Sequence, residues 1–187
     1  MQVKVWDPLV RIFHWGLAAS FALAWITADE WDALHHWAGY AAGGLIAFRL
    51  IWGLIGSRYA RFSQFIRRPS VVMAYLKDII TGRENRYIGH NPAGAAMIIA
   101  LIIGMIGCAL TGWMYTTDAF WGVDWVEETH EFLANALLAL VLVHIGGVLL
   151  ASLRHHENLV RAMINGRKRV AGSDDISRST NAISRTA

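Results

Sequence analysis

The segment HEFLANALLALVLVH, residues 130–144, decides the fold, because it is predominantly apolar and has a histidine at each end. As an α-helix with a rise of ~1.5 Å per residue, it would hold the imidazoles of His130 and His144 ~21 Å apart along its axis. Fourteen steps of ~100° bring the second histidine back to within ~40° of the face that carries the first. The segment therefore predicts two imidazoles on one side of an apolar helix, at two different depths.

The chain as a whole is too apolar for a soluble domain of its size. It has 187 residues, of which 55% are hydrophobic and 17% charged, whereas soluble domains usually have about 25% charged residues. Four apolar segments are long enough, or nearly so, for a bilayer core of ~30 Å, and each must cross it as a helix because lipid offers the backbone no hydrogen bonds. The predicted fold is all-α, an integral membrane four-helix bundle with spans at about 10–28, 34–56, 93–117 and 131–153.

Charged residues alternate between the two sides that these spans define. The stretches 29–32 and 118–131 contain eight acidic residues and no basic one, while all 17 Lys and Arg lie before residue 18, between Arg49 and Arg86, or after residue 153. The positive-inside rule then puts both termini and the loop 57–91 of this multi-pass chain in the cytoplasm. The net charge of +3 is thus a topology signal, and we expect no nucleic-acid partner.

Two segments outside the spans have a recognisable pattern. Residues 69–80 (PSVVMAYLKDII) begin with proline and have apolar residues at helical spacing between basic flanks, which predicts a cytoplasmic amphipathic helix at the membrane surface. A solvated basic loop is the alternative. Residues 1–169 are interpreted as one membrane domain, and the polar, Ser-rich residues 170–187 as a disordered cytoplasmic tail.

The predicted topology pairs four of the eight histidines. His14 and His144 share the cytoplasmic half of the bundle, and His130 shares the periplasmic half with either His35 or His36. Haem iron takes one axial ligand on each face of the porphyrin, so two imidazole pairs at two depths favour two bis-histidine haems. No C-x-x-C-H motif is present for covalent attachment. Glycines follow His35 at positions 39 and 43, which would let helices stand apart around a porphyrin, whereas the bulkier Tyr40 follows His36.

Four motifs cover most of residues 3–169: RIFHWGLA at 11–18, LHHWAGYAAGGLIAFRLIWGLIGSRYARF at 34–62, YIGHNPAG at 87–94, and HEFLANALLALVLVH running into RHHENLVRAMINGRKR at 130–169. Together they resemble the bacterial cytochrome b-561 family, relatives of the b-type cytochrome subunits of nickel–iron hydrogenases. The resemblance implies two non-covalent b haems on four helices. Its second-helix motif, H-x-x-x-G, selects His35 over His36. The implied iron ligands are the pairs His14/His144 and His35/His130.

Other polar residues near the spans have weaker assignments. Arg49 lies fourteen residues after His35 on the same helix face, so it is a candidate partner for a haem propionate, with simple extension to the interface as the alternative. His90, in the motif GHNP, is predicted to cap or turn the start of the third span. His155 and His156 are expected to be interfacial, with a place near a quinone head-group as the alternative for His155.

These features predict an electron carrier, or a cytochrome subunit of an oxidoreductase, that links the membrane quinone pool with a periplasmic redox protein. The resemblance implies that the substrate is quinone and that the partner is a c-type cytochrome or a hydrogenase. The histidine spacing by itself predicts only imidazoles at two depths. The acidic stretch 118–131 is a candidate docking face for a basic partner.

Two other functions were weighed. A quinone-linked superoxide oxidase would need a cationic funnel for its anionic substrate, but the periplasmic connections have no Lys or Arg. A haem-free metal or proton transporter would be expected to have carboxylates within its spans, and the apolar runs have none.

Overall fold

The computed structural model describes residues 1–170 and 172, and its main feature is a set of four long, apolar helices. In chain order the elements are β1 (Gln2–Lys4), α1 (Pro8–Thr27), α2 (Asp32–Ile55), α3 (Phe62–Phe65), α4 (Pro69–Thr81), α5 (Pro92–Tyr115), α6 (Asp124–Arg154), α7 (Leu159–Asn165) and β2 (Arg167–Arg169). Helices α1, α2, α5 and α6 have the length and composition to cross a membrane, in agreement with the four predicted spans. The predicted disordered tail, apart from residues 170 and 172, lies outside the described residues.

Local sequence sets where the long helices begin. The Asp7 carboxylate accepts a hydrogen bond from the Val10 amide at 3.0 Å, and Pro8 stands at the first position of α1. The Asn91 side chain accepts from the Gly94 amide at 2.6 Å, again with proline at the first position of α5. A side-chain oxygen at the N-cap accepts a hydrogen bond from an otherwise unpaired backbone amide. Proline is tolerated at the first helical position because the backbone N–H that it lacks has no partner within the helix there.

The fourth long helix begins earlier than hydropathy predicts. Helix α6 starts at Asp124, and Asp124 and Glu127 occupy its first turn. Carboxylates are favourable there because the N-terminal end of a helix carries a partial positive charge. The acidic stretch 118–131 is therefore not all connection, since only residues 118–123 lie outside the helix. Hydropathy missed the extension because the first turn is polar.

The long helices pack as neighbouring pairs. Helix α1 contacts α2, α5 contacts α6, and α2 joins the two pairs by contacting α5. The shared core consists of Phe13, Ala42, Ile46, Ile102, Met105 and Leu137. Much of the remaining apolar surface faces outward, including Leu142, Leu149 and Leu153 of α6. Such a surface suits a lipid solvent, in which an exposed leucine carries no hydrophobic penalty.

A two-stranded sheet, which the sequence did not predict, brings the N-terminal strand to the segment after α7. Strand β1 pairs antiparallel with β2, with Val3 opposite Lys168. We call this end of the helix bundle, where α1 begins and α6 ends, the sheet end. The other end, with connections 28–31 and 116–123, is called the opposite end.

A buried ion cluster holds the sheet end together. The Glu157 carboxylate accepts hydrogen bonds from Arg86 at 2.9 Å and from the Arg169 amide at 2.6 Å, and the Lys168 ammonium lies 3.7 Å away. Burial alone would raise the pKa of Glu157, but the hydrogen bonds from Arg86 and Arg169 outweigh it and leave the pKa below its ordinary value. The carboxylate therefore ties the 57–91 connection to β2.

We predict that Glu157→Gln destabilises the sheet end by about 3–5 kcal/mol, because it removes the negative charge beside the buried cations Arg86 and Lys168. Thermal unfolding in detergent should begin at a lower temperature, and limited proteolysis near β1 should be faster. Because the folded-state pKa is depressed, the wild-type contribution should also disappear as pH falls through that pKa. The control, Glu30→Gln, changes an exposed carboxylate near the opposite end. Equal melting and cleavage in Glu157→Gln and wild type would contradict the role of this cluster.

Candidate functional site

The opposite end brings His35 and His130 together. Their ring centroids lie 6.0 Å apart, with an angle of 79° between the ring planes. His35 lies in the first turn of α2, and His130 lies near the start of α6. Because both helices begin at the same end of the bundle, two residues 95 positions apart in sequence become neighbours. We call them the opposite-end pair.

Both rings of the opposite-end pair are oriented by backbone carbonyls of a neighbouring helix. His35 Nδ1 lies 2.9 Å from the Ala24 oxygen of α1, and His130 Nδ1 lies 2.9 Å from the Cys108 oxygen of α5. A carbonyl can only accept, so each Nδ1 carries the proton and donates it. That tautomer leaves a lone pair on Nε2, and metal-binding histidines are commonly fixed in this way.

Glycines make room around these imidazoles. A Cβ added at Gly112 of α5 would lie 2.8 Å from His130 Cε1, so only glycine lets the ring pack this close to the helix. On α2, added Cβ atoms at Gly39 and Gly44 would meet no heavy atom of the described chain within 4 Å. The opposite-end pair thus combines one tightly confined ring with open space along α2, which a flat cofactor could occupy.

The sheet-end half of the bundle contains the second pair, His14 and His144. Their ring centroids lie 6.4 Å apart, with 54° between the ring planes. His14 Nδ1 is buried and has no hydrogen-bond partner among residues 1–170 and 172. Gly146 and Gly147 follow His144, and a Cβ at either would meet nothing within 4 Å in the same part of the chain. We call these residues the sheet-end pair.

The other histidines and acids do not extend these pairs into a larger cluster. His36 is exposed, and its ring centroid lies 6.0 Å from that of His35. His155 and His156 follow the last residue of α6. Among the described residues, no group of three or more His, Cys, Asp or Glu could hold a metal ion. The imidazoles are therefore available as pairs, which suits a cofactor that supplies its own equatorial ligands.

Arg49 lies buried near the sheet end of α2 and is only 3% exposed. Its Nη2 donates to the Ala60 carbonyl at 3.0 Å, and the guanidinium carbon lies 4.8 Å from the Phe62 ring centroid. Nη1 is buried without a hydrogen-bond partner in the part of the chain that the structure describes. The alternative of extension to the interface does not fit this burial.

The sequence predicted that His90 caps or turns the start of the third span, but Asn91 is the N-cap residue of α5. Instead the His90 ring packs between Trp6 and Phe65, with both ring centroids 4.6 Å away. Burial, helped by the charges of Arg49 and Lys168, lowers the pKa of His90 to about 3, so the ring is neutral. Local sequence could not reveal this packing, because both aromatic neighbours come from distant segments.

Comparison with protein families agrees with this arrangement. A family model described as prokaryotic cytochrome b561 matches residues 5–166, which include all four paired histidines. The chain belongs to the prokaryotic cytochrome b561 family. No curated protein and no solved structure matches it. Membership and the four apolar helices indicate a multi-pass membrane cytochrome that transfers electrons through haem b.

We predict that Gly112→Ala displaces the His130 ring of this cytochrome, because the new methyl group would overlap Cε1. The haem component that depends on His130 should be lost or shifted in midpoint potential in a redox titration. Gly107→Ala is the matched control on the same helix, since its Cβ would meet only the flexible end of Leu133 at 3.0 Å. A Gly112→Ala protein with wild-type haem content and potentials would contradict the packing argument.

Proposed function

We propose that this cytochrome carries electrons across the bacterial inner membrane through two bis-histidine b haems, between the quinone pool and a periplasmic redox protein. The observation that carries the proposal is the pairing of imidazoles at both ends of the bundle, His35 with His130 and His14 with His144, at 6.0 and 6.4 Å. Imidazole nitrogens bind first-row metal ions at ~2.0 Å, so two imidazoles on opposite sides of one ion have ring centroids ~6 Å apart.

The residues present fit haem b at both positions. The donor set is two neutral imidazoles per site, which is a common axial ligation of low-spin haem. Open space beside Gly39, which lies one turn after His35 on α2, supports room for a macrocycle at the opposite-end pair. When bound, haem b supplies a one-electron couple. The chain fixes the imidazoles, excludes water from them and keeps the two sites ~21 Å apart along α6.

Arg49 is proposed to neutralise a propionate of the sheet-end haem. Its guanidinium is buried, has an unsatisfied Nη1, and lies at the same end of the bundle as His14 and His144. A buried guanidinium without a counter-ion is costly, whereas a carboxylate would pair with it through charge-assisted hydrogen bonds.

The proposed orientation puts the sheet end in the cytoplasm. Basic residues are concentrated in β2 and in the 57–91 connection, and the opposite end has acidic residues and no Lys or Arg between residues 28–32 or 116–131. Residues 1–169 would then form one membrane domain. Helix α4 is proposed to lie at the cytoplasmic membrane surface, since Met73, Leu76 and Ile80 are exposed on it beside basic residues.

A basic periplasmic partner, a c-type cytochrome or a hydrogenase subunit, is proposed to dock at the opposite end. The docking face consists of exposed carboxylates next to His130: Asp118, Asp124, Glu127, Glu128 and Glu131. The positive-inside rule is nearly indifferent to acidic residues, and the partial charge at the start of α6 accounts only for Asp124 and Glu127, so the other three carboxylates require another cause. Steering a cationic protein toward the opposite-end pair is the simplest.

We predict two non-covalent haem b per chain in detergent-purified protein, measured by pyridine haemochrome after acid–acetone extraction. His14→Ala or His144→Ala should remove one haem, and His35→Ala or His130→Ala the other, because each variant takes away one axial ligand. His36→Ala is the control and should retain both. A single haem per wild-type chain, or loss of a haem in His36→Ala but not in His35→Ala, would overturn the assignment.

We predict that Asp118→Asn/Asp124→Asn/Glu128→Gln slows electron transfer with a basic periplasmic partner at low salt, while both haem spectra stay intact. This triple variant spares Glu127, which accepts a hydrogen bond from the Tyr115 hydroxyl at 2.8 Å. Exposed charges act over ~8 Å at physiological ionic strength, so the difference from wild type should shrink as salt rises. Stopped-flow rates that match wild type at low ionic strength would exclude this docking face.

A further inference from the structure

Two buried polar groups near the sheet-end pair have unused hydrogen-bonding capacity. They are Arg49 Nη1 and His90 Nδ1, neither of which has a partner within the described residues. Buried polar atoms almost always find a partner, so two that lack one in the same region indicate a missing ligand. His90 lies outside the spans, in the connection before α5, and has no role in the proposal made so far.

The two groups share one aromatic neighbour. Phe65 touches both: its ring centroid lies 6.0 Å from the Arg49 guanidinium carbon and 4.6 Å from the His90 ring centroid. Trp6 covers the other side of His90. Aromatic walls keep water out, so water does not satisfy these donors cheaply. The charges of Arg49 and His144 both contribute to lowering the pKa of His90, which agrees with its place at the sheet end.

The nearby carboxylates of Asp7 and Glu157 already accept hydrogen bonds from other groups. Asp7 accepts hydrogen bonds from the Ser57 hydroxyl, the Trp52 indole and the Val10 amide. Glu157 is paired with Arg86. No carboxylate of the described chain forms an ion pair with Arg49. An anion that the described residues do not supply would satisfy both groups.

We propose that His90 is a positioning residue that, together with Arg49, binds one carboxylate of the sheet-end haem. This inference rests on the proposed function. A carboxylate has about four acceptor sites on two oxygens, so it can take one hydrogen bond from the guanidinium and one from the neutral imidazole. Haem b has two such carboxylates at one edge. A neutral His90 suits this role, because it donates a hydrogen bond without adding a second buried cation beside Arg49.

The test uses His90→Phe, which keeps an aromatic ring between Trp6 and Phe65 but removes the donor. His90→Gln restores an N–H, and His36→Phe is the control for a histidine replaced on an exposed site. The sheet-end haem is identified as the component lost in His14→Ala. In His90→Phe this component should have a lower midpoint potential, because its carboxylate is less neutralised. It should also dissociate about tenfold faster, which equals ~1.4 kcal/mol and is the low end for a hydrogen bond to a charged group.

The decisive arm replaces haem b with its dimethyl ester during reconstitution of the apoprotein. The ester has no carboxylate, so wild type and His90→Phe should no longer differ in midpoint potential or in haem dissociation rate. With ordinary haem, His90→Gln should have values between those of His90→Phe and wild type. A His90→Phe effect that persists with the ester would overturn the inference, and so would wild-type potential and dissociation with ordinary haem. Wild-type protein without two haems would instead overturn the proposed function, and the two failures are thereby distinguishable.

Discussion

Two hydrogen bonds link helix packing to the orientation of two imidazoles in this protein. The imidazoles of His35 and His130 each donate to a carbonyl on the helix packed against their own, Ala24 of α1 and Cys108 of α5. Because these carbonyls come from neighbouring helices, any shift of α1 against α2 or of α5 against α6 would rotate a ring. The confined fit of His130 against Gly112 adds a second constraint on the same ring. Packing in lipid thereby determines which nitrogen is available and where it lies.

The two ends of the bundle satisfy their polar groups differently. At the opposite end the protein itself supplies a partner for each Nδ1. At the sheet end His14 Nδ1, Arg49 Nη1 and His90 Nδ1 have no partner in the described chain, while the adjacent Glu157 cluster is fully paired. This asymmetry would give two chemically similar sites different surroundings. Different surroundings set different potentials, which is what a directed path between two sites requires.

Residues that lipid constrains directly were the predictable part of the fold. The four long helices follow from apolar length alone, and the separation of fourteen positions between His130 and His144 suffices to predict imidazoles at two depths. The antiparallel order of helices then predicted which histidines would be neighbours. Long-range contacts were not predictable. Strands β1 and β2 have three residues each and exist because residues 2–4 meet residues 167–169, and the start of α6 depends on charge rather than hydropathy.

For the candidate site too, depth and helix order were predictable from the sequence, and long-range contacts were not. His14, His35, His130 and His144 could be chosen from spacing, topology and resemblance, because a ligand pair needs only the right residue type at the right depth. The packing of His90 between Trp6 and Phe65, and the burial of Arg49, depend on the N-terminal segment and distant parts of the 57–91 connection meeting at the sheet end. No periodicity in one segment reports such a meeting.

The most direct test of bis-imidazole ligation at both ends is the low-temperature electron paramagnetic resonance spectrum of the fully oxidised protein. Ring planes that cross at 79° and 54° predict two low-spin signals, of which the one removed by His130→Ala is the more anisotropic. The signal removed by His144→Ala should be the less anisotropic one. A single low-spin signal, or a dominant high-spin signal in undamaged wild-type protein, would contradict ligation by two imidazole pairs.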